Sequence, residues 1–224
     1  MQNIVLVSTL LSGTNFTWYN EPKTWSINQT TINVHTDRNT NFWCKTYFGI
    51  EYDNGHFYYQ SLPGDQSFTA TVNIRGKYNT QYDQGGLMLR TDEKNWVKCG
   101  VEYIDSQQVA SVVVTVNGWS DWNVVSLNET EIVKIRAKRD KEAVVIGYAE
   151  GEEGDFKMMR IAYLPLTDKS RAMMVGITCG SSKNTTEGFD ISFEHLNITI
   201  DANTNGSVHR FPVKLKYKRL SITG

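Results

Sequence analysis

At 224 residues, with 40% hydrophobic and 21% charged side chains, the chain has the size and composition of one large soluble globular domain. Its formal net charge of -1 removes any general electrostatic reason to expect nucleic acid or an anionic membrane as a partner. The three cysteines, Cys44, Cys99 and Cys179, are an odd number without CxxC or His/Cys zinc spacing, so buried reduced thiols in a reducing compartment are expected.

The chain opens on a short apolar run, Ile4 to Val7 with Leu10 and Leu11. It lacks a basic flank and an A-x-A-like cleavage site and is too short to span a bilayer, so it reads as an edge strand. Beyond it, segments rich in β-branched and aromatic residues recur between Gly, Asn and Asp, and no window sustains a 3.6-residue period. The candidate strands are 3–8, 31–35, 42–48, 67–75, 85–90, 96–103, 110–117, 132–138, 143–149, 157–162, 172–179 and 189–199. Pro22, Pro63, Pro165 and Pro212 fall between or outside these runs, as a strand ladder requires. About a dozen strands with short turns imply an all-β fold of two packed antiparallel sheets. Asp53-Asn54-Gly55, Asn117-Gly118 and Glu153-Gly154-Asp155 read as turns, and Arg139-Asp140-Lys141 as a tight hairpin. Residues 1–200 form a single domain in this reading. A linker-like stretch from Asp201 then leads into a basic extension, 201–224, carrying Lys214, Lys216, Lys218 and Arg219.

Period-two alternation divides 96–103 into two faces. Val97, Cys99, Val101 and Tyr103 share a core face, and Trp96, Lys98, Gly100 and Glu102 share the other. Just upstream, Gln84, Gly86, Met88 and Arg90 share a face against Leu87 and Leu89. Joined by the polar loop Thr91 to Asn95, the two strands are expected to present an open outer face lined by aromatic and polar groups. The run 42–48 repeats the arrangement with Trp43, Lys45 and Tyr47 opposite Phe42, Cys44 and Phe48, and Ser120-Asp121-Trp122 adds an aromatic and a carboxylate in a loop. Aromatic rings pack on the C–H faces of sugars while charged and amide groups take the hydroxyls, so a carbohydrate ligand is expected. The alternative is structural, with the tryptophans sealing a sandwich edge and the charges forming surface ion pairs.

Catalytic patterns are weaker. Glycoside hydrolysis uses two carboxylates across the scissile bond. Glu102 and Asp105, three apart, point to opposite faces of a strand. Asp190 and Glu194 share a face, and the acidic residues at 150–155 sit in a turn. No Ser/His/Asp motif, phosphate loop or H-E-x-x-H occurs, and His35, His56, His195 and His209 are scattered. No catalytic residue, metal or cofactor is assigned.

Several motifs in order carry a family resemblance: Trp43-Cys44-Lys45-Thr46, Asp53-Asn54-Gly55-His56-Phe57, Tyr82 to Arg90, Asn95 to Tyr103, and Ser120-Asp121-Trp122, with Asn20-Glu21-Pro22 and Trp25 before them. Over roughly residues 15–198 the chain resembles the domain-of-unknown-function 1349 family, whose fungal members are called regulation of enolase proteins. The resemblance implies a concanavalin-A-like lectin/glucanase β-sandwich, or jelly roll. It further implies a cytoplasmic role in galactose metabolism acting on enolase. The expected ligand-binding residues are Trp43, Lys45, His56, Asp83, Gln84, Arg90, Trp96, Lys98, Glu102, Asp121 and Trp122. Three readings stand: a non-catalytic sugar-binding sandwich, a protein-interaction module contacting a glycolytic enzyme, and a glycoside-active enzyme. The first two together are the expected function.

Overall fold

Along Phe68–Gly76 (β7), Phe68, Ala70, Val72 and Ile74 are buried while Thr69, Thr71 and Asn73 between them are half-buried. This is the alternation of a strand with one face on a core. In the computed structural model, which describes residues 15–165, 171–183 and 186–201, that pattern builds a sandwich. The first seven-stranded sheet runs β1 (Thr17–Tyr19), β6 (His56–Pro63), β15 (Ala172–Ser181), β8 (Asp83–Asp92), β9 (Asn95–Ile104), β10 (Gln107–Val116) and β11 (Trp119–Ser126). The second runs β14 (Lys157–Tyr163), β13 (Ala143–Glu150), β12 (Val133–Asp140), β7, β16 (Asp190–Ile200), β3 (Thr31–His35) and β2 (Thr24–Asn28). A two-stranded hairpin, β4 (Phe42–Cys44) and β5 (Glu51–Asp53), completes the fold. Neighbouring strands pair antiparallel throughout, and no described residue is helical.

The main core lies between the large sheets. Leu87, Leu89, Val97, Cys99 and Val101 of the first meet Val72, Ile74, Ile135, Ile146 and Phe193 of the second. Each such side chain contributes about 1.5–3 kcal/mol on burial. All three cysteines are free and buried, as expected. Asn117 and Gly118 both have positive φ, 52° and 76°, and close the β10–β11 hairpin as a two-residue turn of the type their sequence predicts.

Three expectations change. The run 42–48 is a strand only to Cys44, because Lys45 and Tyr47 take left-handed φ of 55° and 63° and the chain turns back toward β5. Trp43, Lys45 and Tyr47 therefore share no strand face. Ser120-Asp121-Trp122 lies inside β11, not in a loop. The strands at 17–19, 24–28, 51–53 and 56–63 were hidden in the sequence. For β6 the reason is two-sided burial: Tyr58 enters the main core while Phe57 enters a second one, which erases the alternation. The expected strand 3–8 and the basic stretch from 202 lie outside the described residues.

Candidate functional site

The face of β8 and β9 turned away from the main core carries the residues that alternation grouped. Their register places Gln84 opposite Glu102, Gly86 opposite Gly100, Met88 opposite Lys98 and Arg90 opposite Trp96. This face is not the open groove expected from the sequence. All of Gln84, Arg90, Trp96, Lys98 and Glu102 are buried. The β4–β5 hairpin lies across it as a flap, and Phe42, Trp43 and Cys44 pack with Phe57, Met88, Trp96 and Val113 in a second hydrophobic cluster. The cause is Met88, Trp96 and Val113, whose apolar surface on this face needs a cover.

Polar groups fasten the flap. Lys98 Nζ donates to Asn41 Oδ1 (3.1 Å), the Phe42 carbonyl (2.9 Å) and Gln84 Oε1. Gln84 Nε2 donates to Asn41 Oδ1 and the Tyr82 carbonyl, both at 3.1 Å. Burial pulls the Lys98 ammonium down to about 8, with the Glu102 carboxylate acting the other way, so at neutral pH it keeps the proton its three acceptors require. Further along, Arg90 clamps Asp53 of β5 with both terminal nitrogens, Nη2 to Oδ2 at 2.9 Å, and its guanidinium lies 4.5 Å from the Tyr19 ring centroid. Tyr19 also donates to Asp53 Oδ2.

Between the flap and the β9–β11 face is a cleft holding about 540 Å³ of empty space, its open mouth included. The room inside is small, enough for a few waters or one small ring. Trp43, Tyr52, Tyr82 and Trp122 wall it, Phe48 and Ile50 of the flap stand beside them, and Asn41, Lys98 and Glu102 supply polar atoms. Trp122 meets Trp43 at 85° and Tyr82 at 76°. A recess adjoins it, with Gly86 and Gly100 among its residues beside Gln84, Lys98, Glu102 and Ser111. A Cβ on Gly100 would come 2.0 Å from the Gly85 carbonyl oxygen, so only glycine lets these strands approach and leaves this space.

Glu102 stands at the junction of cleft and recess. Its Oε2 accepts from Ser111 Oγ (2.7 Å), which accepts from the Trp122 indole N–H (2.9 Å). Burial raises the Glu102 carboxyl, while the Lys98 charge and the Ser111 and Trp122 donors lower it. Among the described residues no ion pair joins Lys98 and Glu102, which lie four apart along β9 with Gly100 between them.

Of the eleven residues expected to bind ligand, Trp43, Lys98, Glu102 and Trp122 line the cleft and Gln84 lines the recess. The other six stand elsewhere. Trp96 is sealed beneath Phe42, with no exposed surface. Arg90 is spent on Asp53. Asp83, fully buried, accepts from the Asn79 and Thr80 amides and from Ser181, closing the turn before β8. Asp121 pairs with Arg160 of the second sheet at 3.1 Å, because it alternates with Trp122 and so points to the opposite face. Lys45 sits on the flap, 3.6 Å from Glu51 and 5.7 Å from the Trp119 ring centroid. Sequence reasoning missed Asn41, Tyr52, Tyr82 and Ser111. The signal for Ser111 was present: it is opposite Gly100 in the β9–β10 register.

His56 is a structural link. Its Nε2 accepts from the Asp37 N–H (2.9 Å), which leaves Nδ1 as the protonated nitrogen donating to the Asn20 carbonyl (2.7 Å). Burial holds its pKa below the ordinary 6.5. The unfolded chain therefore binds this proton more tightly, and stability falls as pH drops through 6.5 toward the folded value. Denaturant melts between pH 7.5 and 5 are expected to show this loss, with a slope approaching 1.4 kcal/mol per pH unit for the one proton. A His56→Gln chain is expected to lose that part of the slope. The candidate acidic pair, Asp190 and Glu194, is also engaged: Asp190 meets His35 (2.8 Å) and Lys77 (3.2 Å), and Glu194 meets Arg75 (3.1 Å).

The comparisons with known proteins follow this geometry. The pattern of the DUF1349 family, described as proteins of unknown function, matches residues 18–200. The chain belongs to this family. It is 39% identical over 107 residues to "Regulation of enolase protein 1" of Saccharomyces cerevisiae, covering 48% of this chain and 52% of that one. The chain spans about half the length of the curated relatives it matches. Among solved structures, a functionally unknown protein from Saccharomyces cerevisiae superposes with a TM-score of 0.75 at 29% identity, over 84% of this chain and 97% of that one. Two more distant structures share the fold. A GH43 protein of Bacillus licheniformis gives a TM-score of 0.63 at 13% identity, over 86% of this chain but only 38% of that one. The carbohydrate binding module CBM66 from Bacillus subtilis gives 0.51 at 14% identity, over 81% and 94%. The DUF1349 chain is thus a jelly-roll β-sandwich of two antiparallel sheets, as the resemblance implied. No helix among the described residues is long and apolar enough to cross a membrane.

Proposed function

We propose that this DUF1349 protein is a non-catalytic, lectin-like protein that binds a carbohydrate or sugar-derived ligand in the cleft beneath the β4–β5 flap. Its role would be regulatory, in cytoplasmic carbohydrate metabolism. The observation that carries the reading is the cleft itself: walls of Trp43, Tyr52, Tyr82 and Trp122 around one buried carboxylate, Glu102. Aromatic walls with a few placed polar groups suit a small ligand with apolar C–H faces and hydroxyls. Among the described residues Glu102 is the single acidic one lining the cleft, whereas glycoside hydrolysis uses two carboxylates, which supports binding without turnover. The regulatory part rests on the name of the yeast relative, and the carbohydrate reading draws further support from the binding-module fold.

Calorimetry of the native chain against a panel of sugars tests this. Trp122→Ala is expected to weaken the binding at least tenfold, about 1.4 kcal/mol. Heat from no sugar, or full affinity in a folded Trp122→Ala chain, would sink the reading.

A second reading, contact with a glycolytic enzyme, has its own observation. Tyr47 is 93% exposed at the flap tip, with Phe48, Ile50 and Trp119 also exposed nearby. Exposed apolar clusters of this kind mark protein contacts. Pull-down with enolase as bait, comparing native chain with Tyr47→Ala, is the measurement; retention equal to a bait-free control counts against it.

A further inference from the structure

The donors nearest Glu102 are already committed inside the protein. Each hydrogen of the Lys98 ammonium has an acceptor: Asn41 Oδ1, the Phe42 carbonyl and Gln84 Oε1. Both amide hydrogens of Gln84 go to Asn41 and Tyr82. The indole N–H of Trp43 goes to the Thr46 carbonyl, that of Trp122 to Ser111, and the Ser111 hydroxyl to Glu102. What remains at Glu102 is acceptor capacity, with the Tyr52, Tyr82 and Ser182 hydroxyls higher on the lining. An ionised carboxylate offers about four lone-pair sites, and Glu102 uses one of them on Ser111. It is only 6% exposed, has no ion-pair partner among the described residues, and lines both the cleft and the recess.

A ligand group that engages Glu102 must therefore bring donors. Two neighbouring sugar hydroxyls can give their hydrogens to one carboxylate while the ring's C–H face meets Trp122 or Trp43. A phosphate or a second carboxylate brings only acceptors and negative charge. It would meet Glu102 in a desolvated site, and the Lys98 ammonium has no hydrogen left to offer it. Lys183, the other cation of the lining, is exposed to water, where its attraction is screened. Lys98 instead acts on Glu102 through space, its charge offsetting part of the rise that burial imposes on the carboxyl.

We infer that the cleft selects uncharged sugars, held by their hydroxyls on Glu102, and turns away phosphorylated and acidic sugars. This rests on the carbohydrate reading above and narrows it. The test is calorimetry on the native chain with glucose, galactose, xylose and arabinose against glucose 6-phosphate, galactose 1-phosphate and glucuronate. At least one neutral sugar is expected to bind, with its charged counterpart at least tenfold weaker. Binding of a phosphorylated sugar as tightly as the neutral one overturns the inference and leaves the carbohydrate reading standing. No binding by any sugar overturns both. Glu102→Gln keeps the side-chain shape, removes the charge and halves the acceptors. It is expected to weaken the neutral sugar about tenfold and to narrow the gap to the phosphorylated one. Unchanged affinities in a folded Glu102→Gln chain overturn the inference. The neutral-to-phosphorylated ratio is read on the native chain, so it decides the matter even if the variant fails to fold.

Discussion

Lys98→Ala is expected to lower stability by about 4 kcal/mol. Removing the ammonium strands two buried acceptors, the Phe42 carbonyl and Gln84 Oε1, and takes one of three donors from Asn41 Oδ1, which keeps Gln84 Nε2 and the Phe42 N–H. Each buried acceptor left without a donor costs about 1–3 kcal/mol. Three methylenes of the stem, Cγ to Cε, are also lost from a packed site, roughly 2.4 kcal/mol at 0.8 per methylene. Against this stands the relief of a buried charge. The descent of the Lys98 pKa from 10.5 to about 8 corresponds to ~3 kcal/mol at neutral pH. The losses win. At roughly 2–4 °C per kcal/mol for a chain of this size, the melting temperature is expected to drop by about 8–16 °C. Lys98→Met restores the stem and relieves the charge but still supplies no donor, so it is expected to recover only part of the loss. A melt within 2 °C of the native chain for Lys98→Ala would contradict the role assigned to this amine; that margin is roughly 1 kcal/mol.

Arg90→Ala is expected to cost about 3 kcal/mol and to act on the flap in particular. Arg90 is 3% exposed and joins β8 to Asp53 of β5 through two hydrogen bonds, with Tyr19 and Phe42 rings against its guanidinium. Breaking a buried ion pair from one side costs about 3–5 kcal/mol. Asp53 is 39% exposed and can turn to water, which places the cost at the lower end. The signature is local. Amide hydrogen exchange is expected to speed up in residues 42–53 well before the central strands β8, β9 and β15 respond, because the pin is lost while their core is not. A uniform rise across the sandwich would show that Arg90 supports the sheet and not the flap. Ligand affinity is expected to fall as well, since Trp43 and Tyr52 reach the cleft from the flap.

These residues also show where sequence reasoning holds and where it stops. Alternation correctly placed Trp96, Lys98, Gly100 and Glu102 on one face, because the pleat of a strand leaves no other geometry. Glycines 86 and 100 could be suspected of making room, and they do, by standing directly opposite each other. Alternation cannot say what lies above a face. Met88 between Gln84 and Arg90, and Trp96 beside Lys98, made that face too apolar for open water, yet which segment would cover it depended on a chain reversal at Lys45 to Gly49. Lys45 and Tyr47 carry no signature of left-handed φ in their side chains, so the run read as a longer strand. Arg90 and Lys98 looked like ligand cations for the same reason. Their partners, Asp53, Asn41 and Gln84, are 37, 57 and 14 residues away, and such pairings have no local trace.

The sequence by itself determined the all-β class, the strand faces and the hairpin turns, because period-two burial and turn stereochemistry act over a few residues. Motif order added the family. It also named the aromatic and carboxylate groups from which the site is made. Only the tertiary structure decided that the β4–β5 hairpin folds over the sheet, turning an expected open groove into a small cleft. With that cover in place, Arg90, His56 and Asp83 become structural links and Lys98 becomes an internal ammonium. Glu102 remains a buried carboxylate on the cleft lining. The physical reason is desolvation: once the flap excludes water, each buried donor must find an acceptor in the protein, and only the folded chain determines which are left over.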